Sequence, residues 1–193
     1  LLFKPQSVTK DDGTPYKVFT PFYKRGCLEN GEPPRKPLRR RTPDDLQRSS
    51  LAVPLDDLEL MPDIDWYDGL DKEWTPGERG AKARLDRFLE SGVLNYKEGR
   101  NRPDQENVSR LSPHLHFGEI SPHQVWDAAN DRIENAALKK NIEHFKSELG
   151  WREFSYYILY HSPELPRENL QKKFDRFPWR SDKEALERWQ KGK

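Results

Sequence analysis

The sequence predicts a mainly α-helical domain preceded by an extended linker, and three observations carry this. Apolar residues recur at helical spacing from about residue 74 onward. The residues before that point show little such periodicity. Sixteen prolines stand among the 193 residues, and each removes an amide donor and restricts its predecessor.

Taken in order, Pro15 to Phe22 sets aromatic and β-branched residues between prolines. That predicts an extended segment tucked against a neighbour rather than a central strand. Pro33 to Pro43 is basic and proline-rich, and the acidic Asp56-Asp57-Leu58-Glu59 follows, which is connector composition. The character changes at Trp74. Thr75-Pro76-Gly77-Glu78 reads as a capping box with proline at the first helical position. Ala81, Leu85, Phe88 and Leu89 then share a helical face, and Gly92 is a natural stop. Ser121-Pro122 opens a second helix that buries Val125, Trp126 and Ala129. A longer one runs through Leu138, Ile142, Phe145 and Leu149 and continues with Trp151, Phe154 and Ile158 to about Tyr160. Gly150 inside it costs about 1 kcal/mol against alanine, which asks for close packing or a ligand there. Pro163 and Pro166 end that run, and Ser181 or Asp182 caps a last helix carrying Leu186 and Trp189.

The totals narrow the function classes. Apolar residues at 33% against 35% charged confine the core to part of the chain. A net charge of +1 means that nucleic acid, if bound, is bound by a local patch. The single cysteine, Cys27, excludes an internal disulfide framework and a cysteine-rich metal site, and it fits a reducing, cytoplasmic setting. No apolar run reaches the roughly 20 residues that span a bilayer, and the first residues lack a secretory pattern. His114, His116 and His123 fit no zinc spacing, so no metal is expected. Nucleophile elbow, P-loop and glycine-rich dinucleotide fingerprint are all missing.

Two Ser-Pro pairs, Ser112-Pro113 and Ser121-Pro122, lie close together. A serine accepts from the free amides of a first helical turn, and such a turn with its dipole suits a phosphate. Ser109, Arg110 and Ser112 add two hydroxyls and a guanidinium at the first pair. Read bare, these are two ordinary helix starts. Further on, Glu148 and Arg152 are spaced for an i,i+4 ion pair, with Trp151 as a core residue.

The run Ser109-Arg110-Leu111-Ser112-Pro113, continuing through Phe117-Gly118 and Ile120-Ser121, and then Glu148-Leu149-Gly150-Trp151-Arg152-Glu153-Phe154, resembles the photolyase/cryptochrome family. The likeness is nearest to bacterial class I cyclobutane pyrimidine dimer photolyases. It extends through Thr14–Phe22 and Trp189–Lys193. It implies that the chain is an internal piece of a longer enzyme, with residues 1–73 ending an antenna domain and crossing a linker. Residues 74–193 would then be the N-terminal half of a helical FAD- and DNA-binding domain. FAD contacts carry over to Tyr96, Val108, Ser109, Arg110, Leu111, Ser112, Phe145, Glu148 and Arg152. Val108 stands where the family commonly has threonine, a loss of one hydroxyl worth roughly 1 kcal/mol of bonding. Contacts to damaged DNA carry over to Arg100, Glu148, Trp151 and Arg152.

Trp151 is implied to stack on an extruded pyrimidine dimer, and Glu148 to address its edge. Trp179 matches the outermost member of an electron-transfer chain. The implied activity is light-driven repair of pyrimidine dimers by electron transfer from reduced FAD. A second chromophore of folate or deazaflavin type would lie outside this chain. The implied protein is a monomeric, cytoplasmic lyase that acts on DNA and binds no membrane. A cryptochrome-like blue-light photoreceptor is the alternative reading, and the piece alone could lack flavin.

Overall fold

The computed structural model describes residues 1–38, 51–54, 56–64 and 66–193; Arg39, Arg40 and Arg41 of the basic run fall outside them. Among the described residues the chain is helical and contains no strand. The helices are α1 (Phe19–Pro21), which runs into a wide π-helical turn at Phe22–Glu29, α2 (Asp68–Glu73), α3 (Glu78–Glu90), α4 (Tyr96–Gly99), α5 (Ser112–His116), α6 (Pro122–Asp131), α7 (Ala136–His161) and α8 (Lys183–Gln190).

The spine is α7. Its 26 residues run about 39 Å at 1.5 Å per residue. Asn135 caps it by accepting from the Leu138 amide, and Leu138, Ile142, Phe145 and Leu149 are buried along one side as their spacing predicts. α6 packs beside it behind a full capping box, in which the Ser121 hydroxyl and the Gln124 side chain bond each other's backbone N–H. The Val125, Trp126 and Ala129 face is buried. α3 contributes Ala81, Leu85, Phe88 and Leu89, and the Phe88 and Phe145 rings meet at 4.6 Å.

Two local expectations are corrected. Thr75 does not cap α3, which begins at Glu78 after Gly77 turns the chain at φ 91°. Extended backbone ends at Val18, and the chain is helical from Phe19 despite Pro21, which sits early enough to forfeit no bond. α3 ends at Glu90 with Ser91 as its C-cap, so Gly92 stands just past the helix as expected and opens a 3-10 turn over Gly92–Asn95. Asp182, one of the two candidates, caps α8 through the Ala185 amide, and Leu186 and Trp189 on that helix are exposed.

The first sixteen residues are irregular yet strongly held. Three α7 side chains spaced one turn apart fasten them. Buried Glu153 accepts from the Leu2 amide at 2.6 Å and the Phe3 amide at 3.4 Å. Tyr157 donates its hydroxyl to the Val8 carbonyl at 2.8 Å and accepts from the Tyr16 amide at 2.9 Å. His161 meets the Pro5 carbonyl at 3.2 Å. Leu2, Phe3, Val8, Tyr16, Phe22 and Cys27 thereby join the same core as α3, α6 and α7.

Gly150 has a packing explanation. A Cβ there would stand 2.6 Å from two ring carbons of Tyr23. The missing side chain lets that ring lie on the α7 backbone.

Candidate functional site

α4 and α7 bring four of the singled-out residues together. Buried Tyr96 opens α4 and sets its ring edge-on to Phe145, with centroids 5.4 Å apart. Burial pushes its hydroxyl up to about 12. One turn on, Arg100 lies over the Tyr96 ring at 5.5 Å and forms an ion pair with Glu148. That hydrogen bond raises the guanidinium's pKa further. Asn141 ties α7 to this region by accepting from the Lys97 amide at 2.9 Å and donating to the Leu94 carbonyl at 3.0 Å. The i,i+4 pairing of Glu148 with Arg152 does not form. Arg100 takes Glu148, and Arg152 turns to Glu153 at 2.8 Å while covering the Tyr156 ring at 4.9 Å.

Trp151 is not a core residue; 47% of its surface is exposed. Phe19 lies flat against one side of the indole, centroids 3.7 Å apart and 12° from parallel. Tyr23 continues the stack on Phe19 at 5.4 Å and 10°. Phe19 was not among the residues the sequence singled out. A groove of about 620 Å³ opens beside it, between the Phe19–Glu29 helix and α7, with Phe19, Tyr23, Lys97, Lys140, His144 and Ser147 in its walls.

The Ser109–Ser112 stretch is built differently from its expectation. Leu111, buried in the core, stands at the N-cap of α5, and Ser112 is the first helical residue, with no side-chain cap bond. The helix is five residues long. Arg110 holds a left-handed backbone at φ 50°, a conformation non-glycine residues seldom adopt. Its guanidinium meets Glu73 at 2.5 Å. Glu73 also receives Arg84 on its carbonyl at 2.8 Å, and Arg84 covers the Trp74 ring at 4.3 Å. Trp74 stands edge-on to His114, whose Nδ1 lies 2.5 Å from Glu119. The His114 bond, then the Gly77 N–H, hold the Glu119 carboxyl below its ordinary value.

Among the described residues, the Ser109 and Ser112 hydroxyls and the N–H groups of residues 109–111 have no acceptor in the protein. Val108 is exposed beside them. This stretch is anchored by Leu111 and by Asn107, which packs so tightly on Gly99 that a Cβ there would meet it at 2.2 Å. No hydrogen bond or ring contact joins Val108–Ser112 to Phe145, Glu148 or Trp151 among the described residues. Trp179 is exposed and touches Phe177 at 4.6 Å, away from the α7 cluster's ring contacts. No group of three potential metal ligands occurs among the described residues.

Residues 145–193 match the family model described as the FAD binding domain of DNA photolyase. Over its whole length the chain is 37% identical to a deoxyribodipyrimidine photo-lyase of Agrobacterium fabrum, covering 40% of that protein. It is 30% identical to cryptochrome-1 of Arabidopsis thaliana, covering 29% of it. The crystal structure of a bacterial class III photolyase from Agrobacterium tumefaciens superposes with a TM-score of 0.75 at 36% identity, over 100% of this chain and 40% of that one. Fold and matches together define the class, the helical domain of photolyases. The chain belongs to the DNA photolyase and cryptochrome family. It spans about 40% of the length of the photolyases it matches.

Proposed function

We propose that this chain is part of a longer enzyme that repairs cyclobutane pyrimidine dimers in DNA with light and FAD. The observation that carries this reading is the half-covered indole of Trp151. Its backed side rests on Phe19 and its exposed surface lies one turn from the Arg100–Glu148 pair. An aromatic plate with polar groups beside it is what an extruded pyrimidine pair requires. Stacking on such a plate is worth about 1–3 kcal/mol per base.

The donor set fits FAD. Two free hydroxyls and a run of unpaired amides at Ser109–Ser112 suit a pyrophosphate. Tyr96, Val108, Arg110, Leu111, Phe145, Glu148 and Arg152 complete the proposed cofactor contacts, and Arg100, Glu148, Trp151 and Arg152 the DNA contacts. Bound FAD supplies photo-driven one-electron donation and its recovery. The protein's own part is to stack the dimer on Trp151 and to hold Glu148 against the pyrimidine edge through Arg100. Trp179 would serve electron transfer at the outer end of a relay. The division at residue 74, a folate or deazaflavin antenna pigment, a monomeric state and a cytoplasmic location belong to the same reading. No helix among the described residues is long and apolar enough to cross a membrane.

The likeness to a plant cryptochrome supports a second reading, a blue-light receptor. Blue-light repair of a dimer-containing oligonucleotide by the full-length, flavin-loaded protein decides between them. Repair is the expected result; flavin without repair overturns the first reading, and a colourless protein after reconstitution overturns both.

A further inference from the structure

We infer that Glu153 is a positioning residue for the lesion pocket, holding Arg152 through one carboxylate oxygen while the other clasps the start of the chain. The inference rests on the reading above, in which Arg152 contacts damaged DNA.

Glu153 is buried, with 3% of its surface exposed, and its two oxygens are divided between two tasks. Oε2 accepts from the backbone amides of Leu2 and Phe3. Oε1 accepts from Arg152 Nη1 at 2.8 Å. A buried carboxylate needs such donors on both sides, because an unpaired one is far more costly than the bonds it makes. Arg152 gains equally. Its guanidinium is fixed between Oε1 and the Tyr156 ring, so a long side chain is preset before any ligand arrives. The residue it stands beside in sequence is Trp151, and Glu148 lies one turn back. The i,i+4 partner that would otherwise take Arg152, Glu148, is engaged by Arg100. The segment at residues 2 and 3 and the Arg152 guanidinium therefore share one anion.

Glutamine separates the two tasks. Its amide presents one acceptor and one donor, so either the backbone amides or Arg152 loses its partner. The test is a double-mutant cycle in the full-length protein, with Glu153→Gln and Arg152→Ala, reading dark binding to a fluorescent dimer-containing oligonucleotide. Glu153→Gln is expected to weaken binding by about tenfold, the size of one lost charge-assisted bond. In the Arg152→Ala background it should change binding less than twofold, on the order of the error in such cycles. Tyr157→Phe, which loosens the neighbouring anchorage at Val8 without touching Arg152, is expected to leave binding unchanged.

Additive effects of the two changes, or a Tyr157→Phe loss as large as that of Glu153→Gln, overturn the inference and leave the repair reading standing. A wild-type protein that does not prefer the dimer oligonucleotide overturns the reading itself, and this inference with it. Should Glu153→Gln fail to fold, Glu153→Asp runs the same cycle, since its shorter arm cannot span both partners.

Discussion

The Phe19 ring lies 3.7 Å from the Trp151 indole and 12° from parallel to it, so one side of the indole is already stacked. A residue from the first helix thus backs a residue from the spine. Such a contact stiffens the indole and leaves its remaining surface open, which the repair reading proposed above assigns to a base.

Trp151→Ala is expected to weaken dimer binding by about 5- to 150-fold, equivalent to 1–3 kcal/mol of stacking. Phe19→Ala, which removes only the backing, should cost a few-fold in affinity and lower the melting temperature. Fluorescence anisotropy with dimer DNA, beside a thermal melt, measures both. Unchanged affinity in Trp151→Ala would remove the stacking role.

Gly150→Ala sets helix propensity against packing. Alanine would gain about 1 kcal/mol in an open helix. Here its Cβ meets the Tyr23 ring at 2.6 Å, an overpacking that costs about 1–3 kcal/mol. Net destabilisation is expected in urea unfolding, and pairing the change with Tyr23→Leu should relieve part of it. A more stable single variant contradicts the close approach.

The Arg100–Glu148 pair predicts opposite effects on two DNAs. Glu148→Gln releases the Arg100 charge, so affinity for undamaged DNA should rise while preference for the dimer falls. Arg100→Ala should lower the slope of log affinity against log salt by about one, as for one phosphate contact. Titrations across a salt series separate these outcomes. An unchanged salt slope would take Arg100 off the phosphates.

Alkaline pH should weaken the fold through buried acids. Burial pushes the Cys27 thiol up from 9.0 to about 12, and Tyr96 from 10.0 to about 12. A raised folded value favours the protonated form, so this stability is complete below the unfolded value and is lost as pH climbs toward the folded one. The urea midpoint should therefore fall across that interval, and Cys27→Ala should shallow the decline. Cys27 should also resist thiol reagents until the chain unfolds, since the thiolate is the reactive form. A flat alkaline profile would show both groups ionising freely in the native state.

What the sequence revealed is local chemistry. Ser121 and Asp182 each start a helix with their own side chain, and the Leu138–Leu149 spacing draws a buried face; the Gln124 half of the Ser121 capping box and the Asn135 cap emerged only with the structure. The α5 start was misread because serine and proline there sit one position further in than a capping pair, with Leu111 pulled into the core. The Phe19 helix was hidden behind its prolines and Gly26, and only tertiary packing on α7 explains it. Partner choice was hidden for the same reason. Glu148 bonds Arg100 across 48 residues of chain, although Arg152 is nearer in sequence. Glu153 left one legible sign: an acid at four-residue spacing from Tyr157 and His161 on a largely aromatic stretch, which can stay buried only if donors reach it.

The clasp between Leu2 and Glu153 closes over a sequence separation of 151 residues. During synthesis, at about 5–20 residues per second, the opening segment therefore waits roughly 8–30 s for its partner helix to be made. Phe3, Tyr16 and Phe22 lack the α7 part of their burial site during that interval. A pause in translation before residue 153 should consequently lengthen the time that these rings stand without α7.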